Sequence, residues 1–398
     1  MITALIIIGA FMTLGYVVLI YAFASGLHKS GNGMGNTESI LTDAKQSLPF
    51  VSIIIAARNE ENYIEECLKS LANQSYPASH FEIIVVDDHS EDLTVEIINR
   101  FKAETGLPIV LLNNEGDYGK KAAIKKGILA SKGEYLLFTD ADCSVSPDWI
   151  LSITECFVYQ QPVFITGPVM LSSSEGYFNA FQCLEFSSLI ASTAGSIAVN
   201  KPIMANGANM AYSKHQYLKM LSDKDDIMGE KFDSGDDVFT MFSMKQFFGP
   251  EKISFLYSLK GVVYTSAKEN LKALFKQRLR WVSKSKGYKD KDVILTAILV
   301  FGCNLMIVLL LLAGLWDIGL YLSGSTSLKI FSIIAFIVLL TFKGTVDYYL
   351  LSTFLKKFNK TEFLRVYAIS IVPVMMFTVV TAIMGNFVKV LWKKRRVS

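Results

Sequence analysis

The stretch that decides the fold is YLLFTDAD, residues 135–142, a short apolar run followed at once by two aspartates. An apolar run of this length, bounded by polar residues, is typical of a buried strand. Alternate residues of an extended chain face the same way, so the carboxylates of Asp140 and Asp142 are expected to point into one site. An isolated Asp-x-Asp is often only a solvated turn. Its position directly after a buried strand favours a functional site here.

Strand and helix patterns alternate around this stretch. Buried-strand patterns cover Val51–Ala57, Glu82–Val86 and Tyr135–Thr139. Amphipathic helical patterns lie between them, at Glu60–Leu71, Leu93–Glu104 and Lys121–Ala130. This order predicts an α/β fold in which a mostly parallel sheet carries helices on both faces. Such sheets bind ligands outside the carboxyl ends of their strands.

Polar residues follow each predicted strand, in the runs 58–60, 87–90 and 140–142. We expect these runs to meet in one crevice at the carboxyl edge of the sheet. The oxygen ligands of Asp140 and Asp142 suit Mg²⁺ or Mn²⁺, which would neutralise the charge of a diphosphate. Lys120 opens a predicted helix, and both a lysine and a helix N-terminus attract phosphate.

A second acidic pair, Asp236 and Asp237, precedes an apolar helix predicted to begin at Val238. Aspartates at this position are good helix caps, and capping alone accounts for the pair. The functional alternative is that one of them is a general base, which removes a proton from a substrate hydroxyl. The pattern by itself does not decide between the two interpretations.

Long apolar runs lie at both ends of the chain. Ile2–Ala24 is long enough to cross a bilayer; a cleaved signal is the alternative, but no Lys or Arg precedes the run, so we favour an anchor. Further candidate spans are Val293–Leu315, Ile330–Leu351 and a segment between Leu364 and Leu391. Lysines at 284–291 and basic residues at 356–365 are expected on the cytosolic side. A full third C-terminal crossing would put the basic run 393–396 outside, so that segment is either a span or a re-entrant or interfacial helix.

Lys343 and Asp347 stand one helical turn apart within the third apolar run. We expect one of two arrangements. Either the two side chains pair inside the membrane, or the span ends early and the Lys343 side chain extends to the membrane–water interface. Gln277–Trp281 lies in a basic amphipathic stretch, Leu271–Tyr288, which is typical of an interfacial helix. A second amphipathic segment, Glu175–Val199, is predicted to be a packing or membrane-surface helix.

Composition excludes several classes of protein. Of the 398 residues 51% are hydrophobic, and the net charge is only +3, so no basic surface indicates nucleic-acid binding. The five scattered cysteines form no CxxC pair, which argues against a disulfide framework or a zinc site and favours a reducing compartment. The four histidines form no triad or metal-binding spacing.

Taken together, the ordered motifs resemble the inverting family 2 glycosyltransferases of the membrane-integrated kind, which include ceramide glucosyltransferase-like enzymes, hyaluronan synthases and cellulose synthases. The matching motifs are 51–55 with 58–60, 86–90, 119–120, 140–142, 207–210, 236–237 and 277–281. The resemblance implies a nucleotide-binding domain of the GT-A type with transmembrane helices at both ends. It implies an integral protein of the cytoplasmic membrane with a cytosolic catalytic domain.

The predicted boundaries are a transmembrane helix at 1–25, a linker at 26–48 and the GT-A domain at 49–268. An amphipathic interfacial helix at 269–292 and a C-terminal membrane region at 293–398, with two or three membrane segments, complete the chain.

The resemblance also implies roles for individual residues. It implies that the donor is a nucleotide-sugar, and by implication a UDP-sugar. It assigns uridine binding to Ala57, Glu60 and Asp88 and diphosphate binding to Lys120. It assigns a contact with the nucleotide to Asp140 and metal binding to Asp142. Asp237 matches the catalytic base, and Asp236 precedes it where glutamate is commoner. Gly207 and Asn209 match a loop near the acceptor, and Gln277, Arg280 and Trp281 match a motif that closes over donor and acceptor.

Two functions remain open at this stage. The first is transfer of one sugar to a membrane lipid or lipid-linked acceptor, which the small number of apolar segments favours. The second is processive synthesis of a β-linked glycan, with or without a polysaccharide export partner. A catalytically inactive receptor that retains the fold is a third reading, and the acidic residues at 142 and 237 argue against it.

Overall fold

The computed structural model describes residues 2–30, 48–116, 118–172, 175–224, 226–232, 234–325, 329–385 and 387, and the backbone of 390–392 and 395–397. Most of the predicted linker, at 31–47, and two residues of the terminal basic run, Lys393 and Lys394, lie outside these residues.

The helices are α1 Ile2–Ser30, α2 Ile64–Ala72, α3 Thr94–Thr105, α4 Lys120–Ala130, α5 Trp149–Gln160, α6 Tyr177–Ala198, α7 Lys214–Asp223, α8 Asp236–Phe248, α9 Leu271–Ser283, α10 Lys291–Leu322, α11 Phe331–Lys357 and α12 Tyr367–Met384. The strands are β1 Val51–Ala57, β2 Phe81–Asp87, β3 Ile109–Asn113, β4 Tyr135–Phe138, β5 Cys143–Val145, β6 Phe164–Thr166, β7 Val169–Leu171, β8 Met210–Ser213, β9 Ile253–Phe255, β10 Val263–Thr265, β11 Val390–Trp392 and β12 Arg395–Val397.

These elements form two compact units, a helical unit and a sheet unit. The helical unit comprises Met1–Ser30, Ser174–Val199 and Asn270–Val388. The sheet unit comprises Gly31–Ser173, Asn200–Glu269 and the C-terminal segment Lys389–Ser398. Helix α6, which lies within the predicted domain at 49–268, groups with the apolar helices, and the predicted domain boundaries stay a prediction.

The sheet unit is built on a seven-stranded sheet of order β3-β2-β1-β4-β8-β6-β9. The pairs from β3 to β4 are parallel, β8 runs antiparallel to both neighbours, and β6 and β9 are parallel. The mostly parallel α/β sheet predicted from the sequence is thus confirmed. Strands β1 and β2 are almost entirely buried, which is why they are near-continuous runs of Ile and Val rather than alternating patterns.

One predicted helix begins later than its pattern indicated. The pattern starts at Glu60, but α2 begins at Ile64. Asn59 adopts a positive φ of 50°, and the Glu60 carbonyl accepts hydrogen bonds from Tyr63 and Ile64, so residues 59–63 form a turn. This turn keeps the polar run 58–60 at the end of β1 instead of drawing it into the helix.

The helical unit presents large apolar side chains to its surroundings. Along α1, Phe11, Leu14 and Val18 are 73%, 62% and 62% exposed, whereas Gly9, Thr13 and Tyr16 face inward. An exposed stripe of this kind on a helix suits lipid rather than water. Among the described residues, four helices are long and apolar enough to cross a membrane, at Ile2–Ser30, Lys291–Leu322, Phe331–Lys357 and Thr361–Met384. The first continues past the predicted boundary at residue 25.

The directions of these helices follow from their contacts. A Cβ at Gly15 would lie 2.8 Å from Leu299 and one at Gly9 3.5 Å from Met306, so α10 runs antiparallel to α1. Gly9 also faces Leu339, 3.2 Å from the same Cβ position, and further along both helices Tyr16 contacts Asp347, so α11 runs parallel to α1. The C-terminal ends of α1 and α11 and the N-terminal end of α10 therefore share one side of the unit.

The polar pair in α11 forms inside the helical unit. Lys343 Nζ donates to Asp347 Oδ2 at 2.5 Å, and the hydroxyl of Tyr16 donates to Asp347 Oδ1 at 2.6 Å. Lys343 is only 5% exposed, so it forms the expected pair with Asp347 inside the helical unit, while the position at which the membrane span ends stays a prediction. The pair ties α11 to α1.

Helix α12 departs from a simple crossing. It contains Pro373, which cannot donate an intrahelical hydrogen bond. At its beginning, the Tyr367 hydroxyl donates to the Gly344 carbonyl of α11 at 2.5 Å. Further on, the Phe377 ring lies 6.0 Å from that of Phe275, and a Cβ at Gly385 would lie 2.6 Å from Val282. The second half of α12 thus runs beside α9.

Candidate active site

The carboxylates at the end of β4 lie together, as predicted. Asp140 and Asp142 form, with the thiol of Cys143, a group whose ligand atoms lie within 4.8 Å of one another. Burial and the neighbouring Asp140 carboxylate raise the pKa of Asp142, against the opposing effect of Lys268 and Lys120. Burial also raises the pKa of the Cys143 thiol, which keeps it protonated at neutral pH. The donor set is therefore two carboxylates and a neutral thiol, which suits an oxygen-seeking divalent cation better than zinc.

Lys120 lies against the same aspartates. Its Nζ donates to Asp140 Oδ1 at 2.5 Å, and both side chains are about one-third exposed or less, at 28% and 36%. Burial by itself lowers the pKa of the Lys120 ammonium, but nearby carboxylates outweigh it and raise the pKa above its usual value. Those carboxylates belong to Asp140, Asp236 and Asp237. Lys120 thus joins the two acidic pairs that are far apart in the sequence.

The backbone places Lys120 at this point. Gly119 precedes α4 with a φ of 102°, a conformation that favours glycine, and its N–H donates to Asp88 Oδ1 at 2.9 Å. No acidic side chain lies in the first turn of α4. The amide groups at this end of the helix therefore add positive potential beside the Lys120 ammonium.

Asp237 and Gly207 meet on the other side of Lys120. The Gly207 N–H donates to Asp237 Oδ2 at 3.1 Å, and Asp237 Oδ1 accepts from the Val238 N–H at 2.8 Å. A Cβ at position 207 would lie 3.4 Å from Lys120 Nζ and 3.6 Å from Asp237 Cβ. Asp236 is only 4% exposed, whereas Asp237 is half-buried. The accessible carboxylate of the pair is therefore that of Asp237.

Asn209 supports the loop before β8 from inside the fold, and its assignment to the acceptor side stays a prediction. Its side chain accepts from Trp149 Nε1 at 3.0 Å and donates to the carbonyls of Pro168 and Gly261 at 2.8 and 2.9 Å. Asn209 is 1% exposed, and its amide group is committed to these three bonds. These hydrogen bonds hold the loop before β8 against its neighbours inside the fold. Gly207, two residues earlier in the same loop, is left to face the site.

The residues predicted to hold the nucleoside lie along the ends of β1 and β2. The Ala57 carbonyl accepts from the Asp88 N–H at 2.8 Å, which joins the two strand ends. Asp88 is buried, and its Oδ1 accepts from Asn114 Nδ2 at 3.0 Å as well as from Gly119. Glu60 follows β1, and its carboxylate, with those of Asp140 and Asp142, raises the pKa of the Cys67 thiol after the larger effect of burial. The three predicted residues therefore share the edge at which the aspartates lie.

Gln277, Arg280 and Trp281 lie on α9, in the helical unit. Within that unit, Gln277 Oε1 accepts from Arg278 Nη1 at 2.7 Å, and the Arg278 guanidinium carbon lies 4.2 Å from the centre of the Trp281 ring. Their assignment to closure over donor and acceptor stays a prediction.

Sequence reasoning missed several residues around the site. Asn114 is 3% exposed and follows β3, yet one asparagine after a strand carries no pattern. Lys268 acts electrostatically on Asp142 because β10 pairs with β5, an antiparallel pairing that no local signal indicates. Lys121, the residue after Lys120, donates to the Gly229 carbonyl at 2.5 Å. Pairings between segments that are distant in the sequence bring these residues to their partners.

The comparison with protein families identifies this arrangement. Residues 52–218 match the family described as glycosyl transferase family 2. These residues form a family 2 glycosyltransferase domain. The matched range contains the site residues from Ala57 to Asn209, while Asp236, Asp237 and α9 follow it in the chain.

Curated relatives are similar to parts of this chain. Glycosyltransferase AglE of Haloferax volcanii is 40% identical over 26% of this chain and 34% of its own length. A beta-monoglucosyldiacylglycerol synthase of Nostoc sp. is 32% identical over 33% of this chain and 28% of its own. The poly-beta-1,6-N-acetyl-D-glucosamine synthase of Staphylococcus epidermidis is 25% identical over 62% of this chain and 57% of its own. The chain thus spans less than two thirds of the length of each.

The fold is shared with a solved glycosyltransferase. The mannosyltransferase PcManGT from Pyrobaculum calidifontis, solved in complex with GDP-Man and Mn²⁺, superposes with a TM-score of 0.57 at 17% identity, over 90% of this chain and 99% of that one. At this identity the likeness establishes the fold alone. The family 2 domain has the GT-A fold, which confirms the predicted fold class.

Proposed function

We propose that this protein transfers a sugar from a nucleotide-sugar donor to a lipid or glycan acceptor, with inversion at the anomeric carbon. One observation carries the proposal. Lys120 Nζ contacts Asp140, and the same lysine lies beside Gly207 and Asp237, so a phosphate-binding cation, a metal-binding carboxylate and a candidate base converge at the carboxyl edge of the sheet. A diphosphate leaving group and an attacking hydroxyl require these three groups together.

The donor set fits a divalent metal. Asp142, with Asp140 beside it, would hold Mg²⁺ or Mn²⁺ through carboxylate oxygens. The metal, when bound, would neutralise charge that develops on the diphosphate as it leaves. Lys120 and the amide groups at the start of α4 would supply further positive charge to the same phosphates. The uridine of a UDP-sugar would lie along Ala57, Glu60 and Asp88, at the ends of β1 and β2.

Asp237 is the proposed base. Its carboxylate accepts the proton of the acceptor hydroxyl as the oxygen forms a bond to the anomeric carbon. The bond from that carbon to the diphosphate oxygen breaks with its electron pair, and the nucleoside diphosphate leaves on the opposite face of the sugar. A single displacement converts an α-linked donor into a β-linked product, and no covalent enzyme intermediate is needed. The Gly207 N–H keeps the base oriented through its bond to Oδ2.

For the acceptor, a membrane lipid or lipid-linked glycan is the first candidate, because the family 2 domain is joined to a unit of apolar helices with an exposed apolar surface. The synthase of monoglucosyldiacylglycerol among the relatives is consistent with it. Processive synthesis of a β-linked glycan is the second candidate. It draws support from the relative with the longest alignment quoted above, the poly-beta-1,6-N-acetyl-D-glucosamine synthase.

We further propose that the family 2 domain lies on the cytosolic side of the cytoplasmic membrane. The C-terminal ends of α1 and α11 and the N-terminal end of α10 share one side of the helical unit. The basic runs 284–291 and 356–365 flank these ends and therefore share that side as well. The positive-inside rule assigns it to the cytosol.

The second half of α12 bears on the same topology. It runs beside α9, whose sequence carries Lys272, Lys276 and two arginines and is suited to a membrane surface. We propose that α12 returns toward the basic side instead of crossing, which places the terminal basic run in the cytosol and removes the conflict with the positive-inside rule. Tags inserted between Glu115 and Gly116, two exposed residues after β3, and at the C-terminus should label from the same side of sealed vesicles. Labelling from opposite sides would show that α12 crosses.

A transfer assay tests the function. The full-length protein in native lipid, with Mg²⁺ or Mn²⁺, is given a panel of radiolabelled sugar nucleotides, and products are separated by organic extraction and by size. Label in a discrete organic-phase species supports transfer to a lipid. Label in a large aqueous product supports a processive synthase. If no donor gives a labelled product in either the organic phase or the large aqueous fraction, with every lipid tried, the result counts against transfer.

A further inference from the structure

A buried ion pair joins α6 to α9 inside the helical unit. Glu185 is 7% exposed and Arg278 is 6% exposed. Arg278 Nε donates to Glu185 Oε1 at 2.9 Å, and Arg278 Nη2 donates to Glu185 Oε2. Two side-by-side bonds of this kind fix an orientation as well as a distance. Burying both charges carries a desolvation cost, and apolar side chains of similar size often stabilise a helix contact equally well. The pair therefore calls for an explanation other than stability.

Arg278 also contacts two residues of the Gln277–Trp281 motif. Its remaining terminal nitrogen, Nη1, donates to Gln277 Oε1 at 2.7 Å. Its guanidinium carbon lies 4.2 Å from the centre of the Trp281 ring, within the range of a cation–π contact. Trp281 in turn lies 6.1 Å from Phe186, the residue that follows Glu185 on α6. A single guanidinium thus connects Glu185 to the side chains of Gln277 and Trp281.

We infer that Glu185 and Arg278 are a positioning pair, which holds Gln277 and Trp281 in the orientation that sugar transfer requires. The inference rests on the proposed function, because the family resemblance assigns Gln277 and Trp281 to closure over donor and acceptor. Arg278 itself occupies an unspecified position of that motif, and Glu185 lies on a helix to which no role was assigned. Glu185 fixes the guanidinium, and the guanidinium fixes the two motif side chains.

Exchange of the two charges separates positioning from simple helix attachment. In the double variant Glu185→Arg with Arg278→Glu, a salt bridge between α6 and α9 is still possible. A carboxylate at position 278, however, neither donates to Gln277 Oε1 nor provides a cation over Trp281. If the pair only ties two helices together, the exchange restores activity along with stability. If it positions the motif, the exchange restores the unfolding temperature and leaves kcat low.

The conservative variant Arg278→Lys provides the decisive measurement if the exchanged pair does not fold. Lysine keeps the charge facing Glu185 but lacks the planar fork that reaches Gln277 at the same time. A misplacement of about 1 Å at a reacting group costs about 100-fold in rate, so we expect kcat to fall about 10- to 100-fold. The KM for the donor and the unfolding temperature should stay close to those of the wild type. The matched control is Glu362→Gln, whose carboxylate lies 3.7 Å from Lys360 and is 48% exposed.

The experiment uses the full-length protein in lipid, with the sugar nucleotide that the transfer assay has identified. A low kcat in folded Arg278→Lys, with an unchanged control, supports the inference. A kcat within about threefold of the wild type in that variant, or full recovery in the exchanged pair, overturns it. The variant Asp237→Asn is measured in parallel. If the wild type transfers sugar and Asp237→Asn does not, the proposed function is upheld even when the positioning pair fails its test.

Discussion

The substitution Asp237→Asn separates the chemical step from substrate binding. It removes the proposed base and keeps the size of the side chain. General-base catalysis contributes about 10²- to 10⁴-fold to a rate. At ~1.4 kcal/mol for each factor of ten, its loss raises the activation free energy by roughly 3–5 kcal/mol. We therefore expect kcat to fall by at least about 100-fold.

The structural cost of the same change is smaller. The carboxylate accepts from the Gly207 and Val238 N–H groups, and asparagine offers only one oxygen to these two donors. Loss of one such bond costs about 1–3 kcal/mol of folding free energy. The helix N-terminus loses a favourable charge, at about 0.3–1 kcal/mol. Typical domains are stable by about 5–15 kcal/mol, so the variant should still fold.

Donor binding should be retained or become tighter, because a negative charge disappears from beside Lys120. The assay compares kcat for transfer with the dissociation constant of the nucleotide, measured by equilibrium binding. A suitable control is Asp148→Asn, another aspartate at the start of a helix, whose carboxylate lies 3.4 Å from Lys260. A kcat within tenfold of the wild type, or an equal loss of binding and transfer, would refute the assignment of Asp237 as base.

Three other changes test the rest of the site. Gly207→Ala should fold normally, because the added Cβ has ordinary contact distances of 3.4 Å to Lys120 Nζ and 3.6 Å to Asp237 Cβ. The value of kcat/KM should nevertheless fall at least about tenfold, since the methyl group occupies space between these two side chains. Unchanged transfer would show that no substrate atom passes there. Asp142→Ala should abolish the metal dependence of donor binding, measured by titration with Mn²⁺, and retained metal-dependent transfer would count against its role as ligand. Asn209→Ala should lower the free energy of unfolding by about 2–4 kcal/mol, because Trp149 Nε1 and two carbonyls lose their partner, and a denaturation midpoint equal to that of the wild type would contradict the supporting role assigned to it.

The part of the fold that the sequence predicts well is the part governed by local patterns. Strand β1 was predicted at Val51–Ala57 and lies there, because a fully buried parallel strand shows a continuous apolar run. The aspartates after β4 were predicted to lie together, and they do, although they lie in a turn in which the Cys143 N–H donates to the Asp140 carbonyl, and not in an extended segment. The four candidate spans follow from apolar length alone.

The remaining features depend on pairings between distant segments. Strand β8 lies between β4 and β6, an order that no periodicity reveals, and this order carries Asn209 to Trp149 and Gly207 to Asp237. The hydrogen bonds of the Asn209 side chain were not predicted, because its partners Trp149, Pro168 and Gly261 lie far from it in the sequence. The grouping of α6 with the apolar helices was not predicted either, since an apolar helix packs equally well on a sheet or among other helices.

Helix α6 has a consequence for truncated forms of the protein. In the sequence it lies between β7 and β8, so a helix of the helical unit interrupts the strands of the sheet unit. A fragment cut at residues 49 and 268 would carry this helix without α1 and α11, against which it packs, and would expose its apolar face to water. Such a fragment should aggregate or bind detergent, and replacing residues 174–199 by a short polar loop should yield a better-behaved soluble sheet unit. Solubility of the sheet unit is therefore controlled by an internal segment, and trimming the two ends will not provide it.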